Sequence, residues 1–137
     1  MAVDVRVPEE WENHTIHSFV APNRTDDFAG NITIAPYEVA ATMSLEQLVN
    51  QTPLSALDDL LVLDRGYKTR GVSRYYERTY RFVEPMAGLL LQQRQRFVMI
   101  KRRPYVFTLT DNADAFASSA PAFDDVFGKA LDTGVVR

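Results

Sequence analysis

The chain lacks cysteine altogether, and it has only two histidines, His14 and His17. Without cysteine there is no disulfide framework, no thiolate metal site and no cysteine nucleophile. The two histidines stand three residues apart on a stretch that we predict to be extended, so they point to opposite faces of a sheet and do not bind one metal ion together. The sequence therefore predicts no metal site and no cofactor.

Motifs of the common catalytic sites are also missing. There is no GxSxG, Walker or GxGxxG pattern, and only six glycines occur in 137 residues. The paired acids at 26–27, 58–59 and 124–125 are adjacent in sequence rather than convergent, which is typical of loops and solvated helix faces. We expect a protein that binds a partner and is not an enzyme.

Long apolar runs are absent as well. The longest is a handful of residues, as at 87–91, whereas a helix that crosses a bilayer needs about 20. The N-terminal sequence MAVDVRVPEEWEN has neither the basic start nor the apolar stretch of a signal peptide. We therefore expect one domain over residues 1–137, located in the cytoplasm and with no direct insertion into a membrane.

The charge is small in total, at −3, but it is unevenly distributed. Residues 65–103 hold eleven Lys and Arg residues against two acids, a balance of +9, while the rest of the chain holds four against sixteen. Tyrosines and Phe97 alternate with the arginines of this basic block, a pattern that also suits nucleic acid or an acidic partner protein. We favour a structural interpretation, in which basic strands meet acidic helices and loops, and we keep an adaptor that binds through the block as the alternative.

The apolar periodicity predicts an α+β protein. A capping box formed by Ser44 and Gln47 predicts the start of one kinked helix or two short ones over 44–60, with Leu57, Leu60 and Leu61 on the apolar stripe. A second helix occupies the tail, and we expect Pro121 to begin its main part. Strands are predicted at 3–7, 15–21, 31–37 and repeatedly between 61 and 110, with turns near 66, 71–72, 84–88 and 102–104.

The strand at 88–100 is the most informative segment. If it has no bulge, one of its faces carries Leu89, Leu91, Gln93, Gln95, Phe97 and Met99. Apolar residues and amides alternate on this face, and the opposite face is mixed too. Two interpretations stay open: the apolar residues are core beneath a helix, or they form a cradle for an apolar helix whose polar groups bind the amides.

The N-terminal sequence resembles the start of the DcrB-related family. Val5, Pro8 and Trp11 follow that family's arrangement of a strand, a proline and a tryptophan, although Asn13 stands where an aspartate is usual. Shorter resemblances to the third strand, the first helix and the last two strands of the family lie at 31–34, 44–48, 93–95 and 108–110.

This resemblance implies a PsbP-like fold, a twisted antiparallel sheet flanked by helices in an α/β/α sandwich. Stand-alone cytoplasmic members resemble the effector-associated (Eag) chaperones of bacterial type VI secretion. Those are homodimers that hold the N-terminal transmembrane helices of a toxic effector until it is loaded on the spike. We accordingly predict a homodimer that binds such an effector and no nucleic acid. The predicted partner-binding residues are Ile34, Tyr80, Leu91, Gln93, Gln95, Phe97 and Met99.

Overall fold

The computed structural model describes residues 16–25, 28–37, 43–54 and 57–136. Within them lie six strands and two helices, in the order β-β-α-β-β-β-β-α. Their bounds are β1 (His17–Thr25), β2 (Phe28–Pro36), α1 (Leu45–Asn50), β3 (Asp58–Arg70), β4 (Ser73–Glu84), β5 (Leu89–Ile100), β6 (Arg103–Asn112) and α2 (Phe116–Thr133).

The six strands form one sheet in the order β1-β2-β6-β5-β4-β3, and every neighbouring pair is antiparallel. Tight turns at 71–72, 85–88 and 101–102 join the last four strands, as short antiparallel connections require. The predicted α+β class is confirmed, and β5 lies in the interior of the sheet between β4 and β6. The predicted strand at 3–7 falls outside the described residues.

The predicted helix over 44–60 is only partly correct. The capping box forms, since Ser44 Oγ accepts from the Gln47 backbone and the Gln47 side chain accepts from the Ser44 backbone. However, α1 ends at Asn50, and Leu60 and Leu61 lie on β3 instead. Pro53 explains the early end, because it has no N–H to donate and disfavours a helical conformation in the residue before it.

Two further boundaries differ from expectation. Gly66 does not form a turn but lies inside β3, paired with Glu77 of β4. Pro121 does not begin α2 but lies within it, and the helix starts five residues earlier at Phe116. Burial of Phe116 and Phe123 on the sheet stabilises the helix on both sides of the proline.

Helix α2 covers one face of the sheet, which we call the α2 face. Its phenylalanines pack on even-numbered residues of β2 and β5 and on odd-numbered residues of β6, and burial of each large apolar side chain contributes about 1.5–3 kcal/mol. The fully buried members of this core are Ile32, Ile34, Val98, Ile100, Phe107, Leu109, Phe116, Phe123, Phe127 and Ala130.

Helix α1 lies against the other face, which we call the α1 face. Leu45 and Leu48 form a small core with Phe97 of β5, and Tyr76 and Val106 pack against its margin. Because α1 is only six residues long, it covers only part of this face.

An ion network, buried at Arg96 and Glu77 and exposed at Asp124, joins α2 to the sheet. The Arg96 guanidinium donates to Glu77 Oε1 on β4 and to Asp124 Oδ1 on α2, at 2.8 Å in each case, and lies over the rings of Phe123 and Phe127. Lys68 of β3 donates to the second oxygen of Glu77. Burial raises the pKa of Glu77, but hydrogen bonds from Lys68 and Arg96 outweigh that effect, so its pKa lies below the ordinary value.

Replacement of Glu77 by Gln is expected to lower the free energy of unfolding by about 3 kcal/mol in urea titrations at neutral pH. The loss follows because Arg96 keeps its burial and loses its carboxylate partner on β4. Asp125→Asn is the matched control, since the Asp125 carboxylate pairs with Lys129 on the exposed side of α2 and its loss should cost less than about 1 kcal/mol.

The pH dependence gives a second readout of the same variant. A carboxylate with a depressed pKa stabilises the folded state above the unfolded-state pKa, and this contribution is lost as the pH falls through the folded-state pKa. The difference between the native protein and Glu77→Gln should therefore shrink as the pH is lowered from about 5 to about 3. A difference that is constant over this range would contradict the role given to Glu77.

Candidate functional site

The predicted binding residues of β5 share one face of the sheet. The register of β5 with β4 and β6 is continuous, so Leu91, Gln93, Gln95 and Met99 project on the α1 face together with Phe97. Tyr80 of β4 stands directly opposite Gln93 and belongs to the same face. The alternation that we inferred from sequence is therefore present without a bulge.

Ile34 does not join this group. It pairs with Phe107 and lies on the α2 face, where it is 1% exposed beneath α2. We predicted Ile34 as a partner-binding residue without assigning it to a face, and strand β2 presents Thr33 and Ala35 to the α1 face instead.

Two polar rows cross the middle of the α1 face from β4 to β6. In one row the Tyr80 hydroxyl donates to Gln93 Oε1, and Gln93 Nε2 donates to Thr110 Oγ1 at 2.8 Å. In the other, Arg78 donates twice to Gln95 Oε1 and Gln95 Nε2 donates to Thr108 Oγ1 at 3.3 Å. The oxygen of each glutamine is thus used within the sheet, and the amide nitrogen is its donor group.

The predicted residues differ in how much of them a partner can reach. Phe97, Tyr80 and Leu91 are buried, and Phe97 is core beneath α1, as the first of our two interpretations held. Gln93, Gln95 and Met99 are half-buried. The amides and Met99 are therefore accessible in part, whereas the aromatic residues support the surface from below.

A set of exposed apolar residues escaped the sequence reasoning. Residues 60–63 of β3, which we call the leucine edge, are 37%, 55%, 39% and 43% exposed in chain order. They lie on an outer strand of the sheet, where the register with β4 shifts twice. The signal in the sequence was an uninterrupted apolar run of four between Asp59 and Asp64. The predicted helix takes in Leu60 and Leu61, and the predicted strands begin at about residue 61.

A groove of about 420 Å³, which we call the β3 groove, runs beside the leucine edge on the α1 face. The segment from the end of α1 to Leu54 forms one wall, and Leu60 and Val62 contribute to the other. Two arginines, Arg65 and Arg78, also line it. The groove thus combines apolar walls with positive charge.

Burial changes the titration of two residues on this face. It lowers the pKa of the Arg78 guanidinium below its ordinary value, and it raises the pKa of Tyr80 to about 12. Tyr80 therefore stays protonated at neutral pH, and its hydroxyl can donate a hydrogen bond to Gln93. This hydrogen bond holds the glutamine amide in one orientation.

Metal-ligand clusters and bilayer-spanning helices are both missing from the described ranges. Among those residues no three His, Asp or Glu side chains come together as ligands for a metal ion. Neither of the two helices found there is long and apolar enough to cross a bilayer. The arrangement on the α1 face is suited to binding an apolar chain and to donating hydrogen bonds to it.

No family model matches the chain, and no curated protein is similar to it in sequence. A solved structure with a similar fold is PA94 from Pseudomonas aeruginosa, a protein of unknown function. The identity is 18% and the TM-score 0.70, over 98% of this chain and 92% of that one. LpqN of Mycobacterium tuberculosis, involved in cell envelope biogenesis, gives a TM-score of 0.46 at 16% identity, over 89% of this chain and 79% of that one. The likeness to PA94 shows a shared fold.

The hydrogen bond between Tyr80 and Gln93 gives a test of the polar rows. Gln93→Leu should lower the free energy of unfolding by about 1–3 kcal/mol, since it leaves the buried Tyr80 hydroxyl without its acceptor. Adding Tyr80→Phe removes that hydroxyl, so the double variant should cost less than the sum of the single variants. Additive losses in urea unfolding would show that the two side chains act independently.

Proposed function

We propose that this protein is a non-enzymatic chaperone of bacterial type VI secretion, similar to the Eag chaperones. It binds the N-terminal transmembrane helices of a toxic effector in the cytoplasm and shields them until the effector is loaded on the spike. The identity of the partner is inferred from the resemblance of the N-terminal sequence to the DcrB-related family. The observation that carries the proposal is the leucine edge beside the β3 groove.

The leucine edge gives the proposal its driving force. All four apolar side chains are more than a third exposed, and the two that line the β3 groove, Leu60 and Val62, favour covering by another apolar surface. Burial contributes about 25 cal/mol for each Å² removed from water, and a transmembrane helix supplies apolar surface on every side. The apolar wall of the groove extends the contact from the leucine edge onto the α1 face.

The polar rows provide hydrogen-bond donors for the bound helix. Each glutamine amide has two hydrogens and uses one of them on a threonine, in the hydrogen bonds formed by the described residues. The second hydrogen can bind a serine hydroxyl or a backbone carbonyl of the bound helix. Such a partner matters because a polar group buried without one costs about 1–3 kcal/mol.

The architecture agrees with the expected family. Helices on opposite faces of an antiparallel sheet fit the PsbP-like sandwich that the resemblance implies. A homodimer of this fold would place two α1 faces in one particle and offer room for more than one effector helix.

The ion pairs favour this proposal over an adaptor that acts through the basic block. Arg70, Arg74 and Arg96 each bind a carboxylate on a helix, at Asp132, Glu46 and Asp124. Much of the positive charge of the basic block is therefore paired with carboxylates of the same chain. The affinity of an adaptor for its partner should fall as the salt concentration rises. The affinity of a chaperone that binds through apolar contacts should change little between about 0.1 and 1 M salt.

Co-expression tests the proposal directly. A fusion of an effector's two N-terminal transmembrane helices to green fluorescent protein should be soluble with this chaperone and insoluble without it. Leu60→Ser combined with Val62→Ser should reduce the soluble fluorescence at least tenfold, because both side chains line the groove and an apolar contact is lost at each position.

Met86→Ser is the matched control, since Met86 is 95% exposed in the turn between β4 and β5 and does not line the groove. It should leave the soluble fluorescence unchanged. A fusion that is equally soluble without the chaperone, or equally insoluble with it, contradicts the proposal.

A further inference from the structure

Two arginines stand directly opposite each other on the α1 face. Arg65 of β3 is the register partner of Arg78 of β4, and both line the β3 groove. Like charges at directly opposed positions of neighbouring strands destabilise a sheet. Three hydrogen bonds from Arg78 and the Phe97 ring, 4.9 Å from its guanidinium carbon, offset part of this repulsion, but they supply no negative charge.

The described part of the chain holds no carboxylate for either arginine. Arg78 is 7% exposed, and its donors go to neutral oxygens, Gln95 Oε1 and the Thr52 carbonyl. None of the described residues that line the groove is acidic. Arg65 forms no ion pair with any described residue and is exposed.

Other arginines of the same two strands are arranged differently. Arg70 of β3 binds Asp132, and Arg74 of β4 binds Glu46, so each has an acidic partner on a helix. Arg78 is more buried than either of them and still lacks one among the described residues. A buried charge without a counter-ion is costly, and an arriving carboxylate would offset that cost.

We infer that the helix bound in the β3 groove carries an aspartate or glutamate within or beside its apolar stretch, and that its carboxylate binds between Arg65 and Arg78. The inference rests on the proposed function, and it adds a chemical requirement on the effector. The apolar walls formed by Val49, Leu54 and Leu60 favour a polypeptide over a free anion. A guanidinium pair suits a carboxylate because its N–H groups can meet both oxygens.

Two synthetic peptides provide the probe. Each is an alanine-leucine helix of about 20 residues with blocked ends, and the two differ only at the midpoint, where one carries a glutamate and the other a glutamine. In detergent-free buffer at neutral pH the full-length protein should bind the glutamate peptide about tenfold more tightly than the glutamine peptide. Arg65→Ala should remove most of this preference, and Arg65→Glu should reverse it. Circular dichroism of both variants checks that they are folded.

The control is Lys129→Ala, which removes one exposed positive charge from α2 on the other face. It should leave the preference intact, and an equal loss with this variant would overturn the inference by showing a general effect of net charge. Equal binding of the two peptides would overturn the inference but not the proposed binding of apolar helices. Binding of neither peptide would overturn the inference and the proposed function together.

Discussion

The contact of Arg96 with two carboxylates and two phenylalanine rings holds the described fold together. Arg96 lies in the interior of the sheet and is almost fully buried, and Glu77 and Asp124 approach it from β4 and α2. Its guanidinium also lies over Phe123 and Phe127, which pack on the sheet around it. One side chain therefore fixes where α2 rests and which face of the sheet it closes.

Because helix α2 covers one face of the sheet, binding of a partner depends on the other, the α1 face. Helix α1 is short and anchored by Leu45 and Leu48 at Phe97, so the leucine edge and the glutamine rows remain partly accessible. The Arg78 guanidinium lies over the Phe97 ring, donates a hydrogen bond to Gln95 and lines the β3 groove. The sheet thus has one face devoted to stability and one with the properties of a binding surface.

Sequence reasoning predicted the class, most strands and the alternation along β5, because alternation is local and needs no knowledge of tertiary contacts. It did not assign Ile34 to a face, since the face of a strand depends on which neighbours it joins. It also placed Leu60 and Leu61 on a helix, because a continuous apolar run fits either period and only pairing with β4 decides between them. The opposed arginines could not be found from sequence, since their meeting depends on the register of β3 with β4.

The central claim is that the α1 face and the leucine edge hold an apolar helix. Hydrogen exchange of the full-length protein, followed by mass spectrometry with and without the co-purified effector helices, tests it most directly. The account predicts added protection at 47–54 and 58–66, with little change in α2. Protection confined to α2 or to the β1 edge, with none at 58–66, would contradict it.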